Sequence, residues 1–222
     1  MKLLAVLLAA LFFVSCAHSS PHQKPKNYAH VAGKVFAELI DMPGAISGTA
    51  FRYRNRIITA GHFCEHWERL EREGAVGSMQ IRYAENGSHF AVSGYFVARK
   101  WRHETGIDVC VLRPIADTET PEEMEELERA TPPAIGDPVS IIGAPLGLSL
   151  FRTDGYVASL KEAWAENYML VSATAFGGNS GSPVLDAEGK LVGMLVAGAP
   201  VYPTISVVIP TYRIDAFLDA TH

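Results

Sequence analysis

Three side chains of this 222-residue chain are of the types that together make a covalent nucleophile. Ser180 lies in Phe176-Gly177-Gly178-Asn179-Ser180-Gly181-Ser182-Pro183, held between glycines and followed by a proline that opens an apolar strand. A serine hydroxyl is a weak nucleophile until a neighbouring base, normally histidine, takes its proton, and that base is oriented in turn by a carboxylate. His62 follows the apolar run Ile57-Ile58-Thr59-Ala60-Gly61, at the tip of a strand that ends in small residues. Asp108 opens Asp108-Val109-Cys110-Val111-Leu112, a carboxylate at the mouth of another apolar strand. Glycines ahead of the serine permit positive φ and close approach, so successive N–H groups can turn toward one point and hold an oxyanion. Each residue alone has a plainer reading: a glycine-rich surface turn, a satisfied histidine at a strand end, a solvated aspartate.

Among the other histidines, His18, His22 and His30 lie in or beside a polar N-terminal stretch and His222 is the last residue; His66, His89 and His103 remain beside His62. A buried carboxylate is costly unless partnered, and the His62 imidazole is the natural partner for Asp108. Thr59-Ala60-Gly61-His62 resembles the Thr-Ala-Gly-His and Thr-Ala-Ala-His motifs around the catalytic histidine of chymotrypsin-fold serine proteases, and the Asp108 segment resembles their Asp-Ile-Ala-Leu-Leu. The order His62, Asp108, Ser180 is that family's order, with His and Asp from a first barrel and Ser from a second. Val139 to Gly147 and Gly155 to Ser159 resemble the start of the second barrel in HtrA-type proteases, and Gly177 to Val184 is similar to bacterial glutamyl endopeptidases.

The resemblance implies a His62–Asp108–Ser180 triad, with the N–H groups of Gly178 and Ser180 as the oxyanion hole. It implies that Leu191 to Gly198 is the strand whose end, at Val196, Ala197 and Gly198, pairs with a substrate backbone, an extended peptide adding to that edge by main-chain hydrogen bonds. Thr174, six residues before Ser180, stands at the base of the specificity pocket, where preference for Lys or Arg needs an acid. Leu195 stands where glutamyl endopeptidases carry a histidine, so acid specificity is not carried over, and a small or apolar residue is expected in the pocket. Trypsin has an aspartate at the position of Asn179, neutralised by a freed N-terminus; uncharged Asn179 predicts that no such salt bridge is needed.

The elements that must hold these residues read as strands. Thr49 to Tyr53, Arg56 to Ala60, Met79 to Tyr83, Phe90 to Val97 and Asp108 to Leu112 form a first set rich in β-branched and aromatic residues, with a hairpin at Asn86-Gly87. Val139 to Ile142, Arg152 to Ser159, Tyr168 to Ala173, Leu191 to Val196 and Ser206 to Ile209 form a second. Between them, acidic Asp117 to Thr131, with Met124 and Leu127 inside it, reads as a short exposed helix or loop. Tyr212 to Leu218 has apolar residues three and four apart and predicts an amphipathic C-terminal helix. The fold class is all-β, a chymotrypsin-like double β-barrel with a short C-terminal helix: a first barrel over about 31–116, a second over about 132–211 and the helix over about 212–220.

Composition narrows the setting. An apolar content of 48 % is ample for a core, and a net charge of −5 without a basic run argues against a nucleic-acid partner. Lys2 followed by apolar Leu3 to Val14 and then small residues reads as a signal peptide over 1–16, with 17–30 as a polar tether. Phe13-Val14-Ser15-Cys16 resembles the lipobox of bacterial lipoproteins, which would make Cys16 a lipidated first residue and the sole membrane attachment; cleavage after Ala17 is the alternative. Either way an exported protein is expected. Cys64 and Cys110 are then expected to be two buried free thiols, with a disulfide between them, which an exported location would permit, as the alternative.

Other chemistries fit less well. His62 and His66 share a helical spacing but lack the glutamate of zinc proteases and a third ligand, so neither metal nor cofactor is expected. An α/β-hydrolase would need a glycine where Ser182 stands and its acid and histidine after the serine. The expected partner is a protein or peptide substrate. The competing reading is a protease-like fold without turnover that serves as a surface binding module.

Overall fold

The computed structural model describes residues 28, 30–41, 43–83, 89–97, 107–114, 124–160, 168–199 and 202–220. Its first six strands, β1 (Gly33–Glu38), β2 (Ala45–Tyr53), β3 (Arg56–Ala60), β4 (Met79–Arg82), β5 (His89–Val97) and β6 (Val109–Pro114), close into a barrel in the order β1-β2-β3-β6-β5-β4. The next six, β7 (Pro138–Gly143), β8 (Phe151–Ser159), β9 (Met169–Val171), β10 (Pro183–Leu185), β11 (Leu191–Ala199) and β12 (Tyr202–Pro210), close into a second, β10-β11-β12-β9-β8-β7. Read from β7, the second order is β7-β8-β9-β12-β11-β10, so both barrels are wound alike. All the strand pairs are antiparallel. Closure leaves neither barrel an open edge and turns alternate positions of a strand toward the barrel interior.

The alternation divides the apolar residues into three cores. Val35, Ala37, Ala50, Ile57, Met79, Ile81 and Leu112 fill the first barrel, and Val139, Ile141, Val157, Val171, Val184, Leu195 and Val208 fill the second. A third cluster lies between the barrels: Phe51, Ile58, Val109 and Val111 of the first meet Ile142, Leu191, Met194 and Ile209 of the second. Strands that bury both faces in this way carry continuous apolar runs, which explains Ile57-Ile58 and Leu191 to Val196. Helix α2 (Thr211–Ala220) seals this cluster with Ile214, Phe217 and Leu218.

Several expectations are corrected. Strand β1 was not expected; its GKVFAE run alternates too weakly to stand out, and pairing to β2 and β4 makes it a strand. His62 is not the tip of strand β3 but the second residue of helix α1 (Gly61–Arg72), which begins at once after it. In the acidic segment, residues 124–131 are extended rather than helical, bridged to Arg52 and Leu191, and Met124, Leu127 and Ala130 are buried. The Asn86-Gly87 turn lies outside the described residues, although β4 and β5 pair as its flanking strands would. Cys64 and Cys110 are not free thiols: they form a disulfide with Cα atoms 6.5 Å apart. The bond ties the first turn of α1 to β6, and both sulfurs are completely buried.

Candidate active site

Strand β3 delivers the chain into α1 so that His62 stands in the first helical turn, where backbone N–H groups have no partner within the helix. Asp108 supplies one. Its Oδ1 accepts the His62 N–H at 2.6 Å, and its Oδ2 lies 2.7 Å from His62 Nδ1. One carboxylate thus grips the histidine by backbone and ring together, which fixes the ring about both its attachment and its tilt. The Asp108 carbonyl accepts the Gly61 N–H at 3.1 Å, so the two segments run in close contact. A Cβ on Gly61 would stand 2.9 Å from Asp108 Oδ1, which is why the residue before His62 is a glycine. Asp108 is 6 % exposed and satisfied, while the His62 ring keeps an open edge.

Ser180 comes from the second barrel, in the loop between β9 and β10. Gly178 and Gly181 flank it with φ of +93° and +89°, a region that a side chain strongly disfavours. A Cβ on Gly181 would also collide with Thr49 O and the Thr59 hydroxyl, so this loop is pressed directly against the first barrel. The loop is pinned by main-chain bonds: Thr49 N–H to Ser180 O at 2.8 Å, Gly181 N–H to Leu195 O at 2.8 Å, and Leu146 N–H to Gly177 O at 2.6 Å. The N–H groups of Gly178 and Ser180 donate to no acceptor among the described residues. They are two unspent donors two positions apart, on either side of Asn179, one of them on the residue that carries the hydroxyl.

The Ser180 hydroxyl donates to Val196 O at 3.4 Å in this resting arrangement. A bulge in β11 explains that carbonyl's direction: Leu195 pairs with Val208 and Ala197 with Val207, so Val196 drops out of the ladder and turns toward the loop. Ala197 and Gly198 continue as an exposed stretch of β11, and a Cβ on Gly198 would stand 3.5 Å from Ala175 O. Ala175, the residue after Thr174, is thus the neighbour of Gly198 at this end of β11. Leu195 is buried among the core residues of the second barrel. Asn179 is 3 % exposed, and its Oδ1 and the Ser182 hydroxyl have no hydrogen-bond partner among the described residues. Both face Gly143, where a Cβ would overlap them. A charged aspartate at 179 would be a buried ion with no partner there.

The structure thus brings His62 and Asp108 into contact, holds the Gly178–Ser180 loop against Thr49 of the first barrel, and joins the Ser180 hydroxyl to Val196 O of β11 rather than to His62. His66 is exposed on α1; the side chain of His89 and all of His103 lie outside the described residues, as does Cys16. Two contributors escaped the sequence reading. Thr49 carries no motif, and the Cys64–Cys110 bond had a signal that was not used: each cysteine follows a candidate catalytic residue by two positions.

Residues 46–194 match the family model described as a trypsin-like peptidase domain. A search of curated protein sequences returns no match. Among solved structures, the active form of the Rv3671c protease from M. tuberculosis aligns with a TM-score of 0.64 at 16 % identity, over 86 % of this chain and 80 % of that one. The serine endoprotease from Yersinia pestis aligns with a TM-score of 0.67 at 18 % identity, over 89 % of this chain and 67 % of that one. At such identities the likeness is one of fold.

Proposed function

The chain belongs to the trypsin-like peptidase family, and on that premise we propose that it is an exported serine endopeptidase that cleaves peptide bonds through an acyl-enzyme. The observation that carries the reading is the double grip of Asp108 on His62, through backbone N–H and ring nitrogen, because a histidine so fixed is prepared to act as a base. His62 Nε2 takes the Ser180 proton as Oγ attacks the substrate carbonyl, and Asp108 stabilises the imidazolium that forms. The carbonyl oxygen, now an oxyanion, is received by the N–H groups of Gly178 and Ser180, each worth about 2.7–4 kcal/mol in the transition state. His62 then returns its proton to the departing amine, and a water deprotonated by the same ring releases the acyl group. Substrate backbone pairs with the end of β11 at Val196, Ala197 and Gly198, of which the last two are exposed.

Thr174 puts no carboxylate in the pocket, and Leu195 supplies no histidine for an acidic side chain, so a small or apolar side chain is the preferred occupant. Asn179 supports activity without a charge switch at a newly freed N-terminus. The N-terminal apolar run and Cys16 support export and lipid anchoring.

Labelling with a fluorophosphonate tests the chemistry. The wild type is expected to be labelled and Ser180→Ala not. The binding-module reading draws its support from the Ser180 hydroxyl, which bonds to Val196 O rather than to His62. A folded wild type that neither labels nor cleaves would establish that alternative. Cys16→Ala, expected to release the mature protein from membranes into the soluble fraction, tests the anchor separately.

A further inference from the structure

We propose that Thr49, in the first barrel, is a positioning residue for the oxyanion site of the second, an inference that rests on the peptidase reading above. Thr49 is completely buried, and each of its polar atoms is engaged. Its N–H donates to Ser180 O at 2.8 Å. Its hydroxyl donates to Gly178 O at 3.0 Å and accepts the Ala144 N–H at 3.0 Å. Its carbonyl accepts the Thr59 hydroxyl at 2.7 Å, on the strand that leads three residues later to His62.

The direction of the Gly178 N–H depends on the peptide units on either side of Gly178. With glycine at both 177 and 178, the backbone itself resists rotation of these units very little. Their carbonyls are held from outside. Gly178 O is held by the Thr49 hydroxyl, and Gly177 O by the Leu146 N–H at 2.6 Å. Leu146 is in the left-handed region, with φ of +54°, and its side chain is exposed, so packing of that side chain does not explain the conformation. The turn that carries it is fixed at both ends: Ala144 N–H bonds to the Thr49 hydroxyl, and Gly147 O accepts Lys34 Nζ at 2.9 Å. The Thr49 hydroxyl therefore holds one carbonyl directly and helps hold the other through the turn. With both carbonyls fixed, the Gly178 N–H remains directed at the substrate.

Thr49→Val keeps the shape and removes the hydroxyl, and Thr49→Ser keeps the hydroxyl. On a peptide substrate the valine variant is expected to lose about tenfold to a hundredfold in kcat with KM within about twofold, because the oxyanion forms only in the transition state. A peptide aldehyde, whose hemiacetal oxygen occupies the same site, is expected to lose affinity in parallel, while a product peptide binds as to the wild type. The serine variant is expected to recover kcat to within about threefold. Should the valine variant not fold, Thr49→Ala takes its place in the same assays. A folded hydroxyl-free variant with wild-type kcat, or one whose kcat loss serine does not restore, overturns the role of Thr49 while leaving the peptidase reading intact. A wild type that neither labels with fluorophosphonate nor cleaves overturns both.

Discussion

The two barrels share one winding but hold their parts of the site by different means. The first barrel fixes side chains: Asp108 grips His62, and two residues beyond each of them the Cys64–Cys110 disulfide ties the same two segments together. The second barrel offers mainly backbone. Its loop presents the N–H groups of Gly178 and Ser180, and its shape comes from glycines and main-chain bonds to Thr49, Leu146 and Leu195. In the proposed mechanism the base must be held at a set angle but must also change protonation state, so a rigid side-chain clamp suits it. An oxyanion hole needs fixed dipoles that do not reorganise during reaction, and peptide N–H groups supply these without side-chain freedom. The first half should therefore be sensitive to side-chain deletion and the second to side-chain addition.

The largest expected effects break each half in its own way. Asp108→Asn should lower kcat about 10⁴-fold with little change in fold, since the amide favours the wrong ring tautomer; kcat near wild type would remove Asp108 from the mechanism. In the second half, Gly181→Ala places a methyl group on Thr49 O at a positive φ, and should abolish fluorophosphonate labelling and lower the melting temperature together. A labelled, stable Gly181→Ala protein would show that the loop is not pressed against the first barrel.

The disulfide sharpens the contrast. It closes a separation of 46 residues, for which loop entropy gives about 4 kcal/mol of stabilisation. A Cys64→Ala, Cys110→Ala protein is expected to unfold at lower denaturant concentration by that order, read from equilibrium unfolding, yet to retain most of its kcat at low temperature because the Asp108 bonds persist. Wild-type stability in the double variant would mean that the bond adds nothing to the clamp.

The smallest effect lies away from the cleft, where Tyr53 of β2 donates to Asp215 of α2 at 2.8 Å and Arg129 reaches the same carboxylate at 2.9 Å. Burial, then the bond to Asp215, pushes the Tyr53 phenol above its ordinary value of 10.0. The folded protein therefore keeps a proton that the unfolded chain releases, and this stabilisation is present below about pH 10 and lost as pH rises beyond it. Asp215→Ala should cost about 1–3 kcal/mol at neutral pH, weaken the alkaline loss of melting temperature and leave kcat unchanged. An unaltered alkaline profile would separate Tyr53 from this effect.

Much of this was legible before any fold was considered. The apolar runs located ten of the twelve strands, the proline after Ser182 marked β10, and the C-terminal periodicity marked α2. The types and order of His62, Asp108 and Ser180 singled out three residues from the sequence, of which His62 and Asp108 lie in direct contact. The acidic segment was harder, because its charge hid the burial of Met124 and Leu127 against elements distant in sequence. Helix α1 was hidden for a related reason: it starts directly from a strand, without a side-chain cap to announce it.

The sequence by itself determined the chemical inventory and the two β-rich halves, because residue type and period are local properties. Only the tertiary structure decided the Cys64–Cys110 pairing, the bulge that turns Val196 O toward Ser180, and the three contacts of Thr49 with the opposite barrel. Each of these depends on the distance between segments far apart in the chain. That distance is set by how the two barrels close and by the apolar cluster packed between them, neither of which any single stretch of residues encodes.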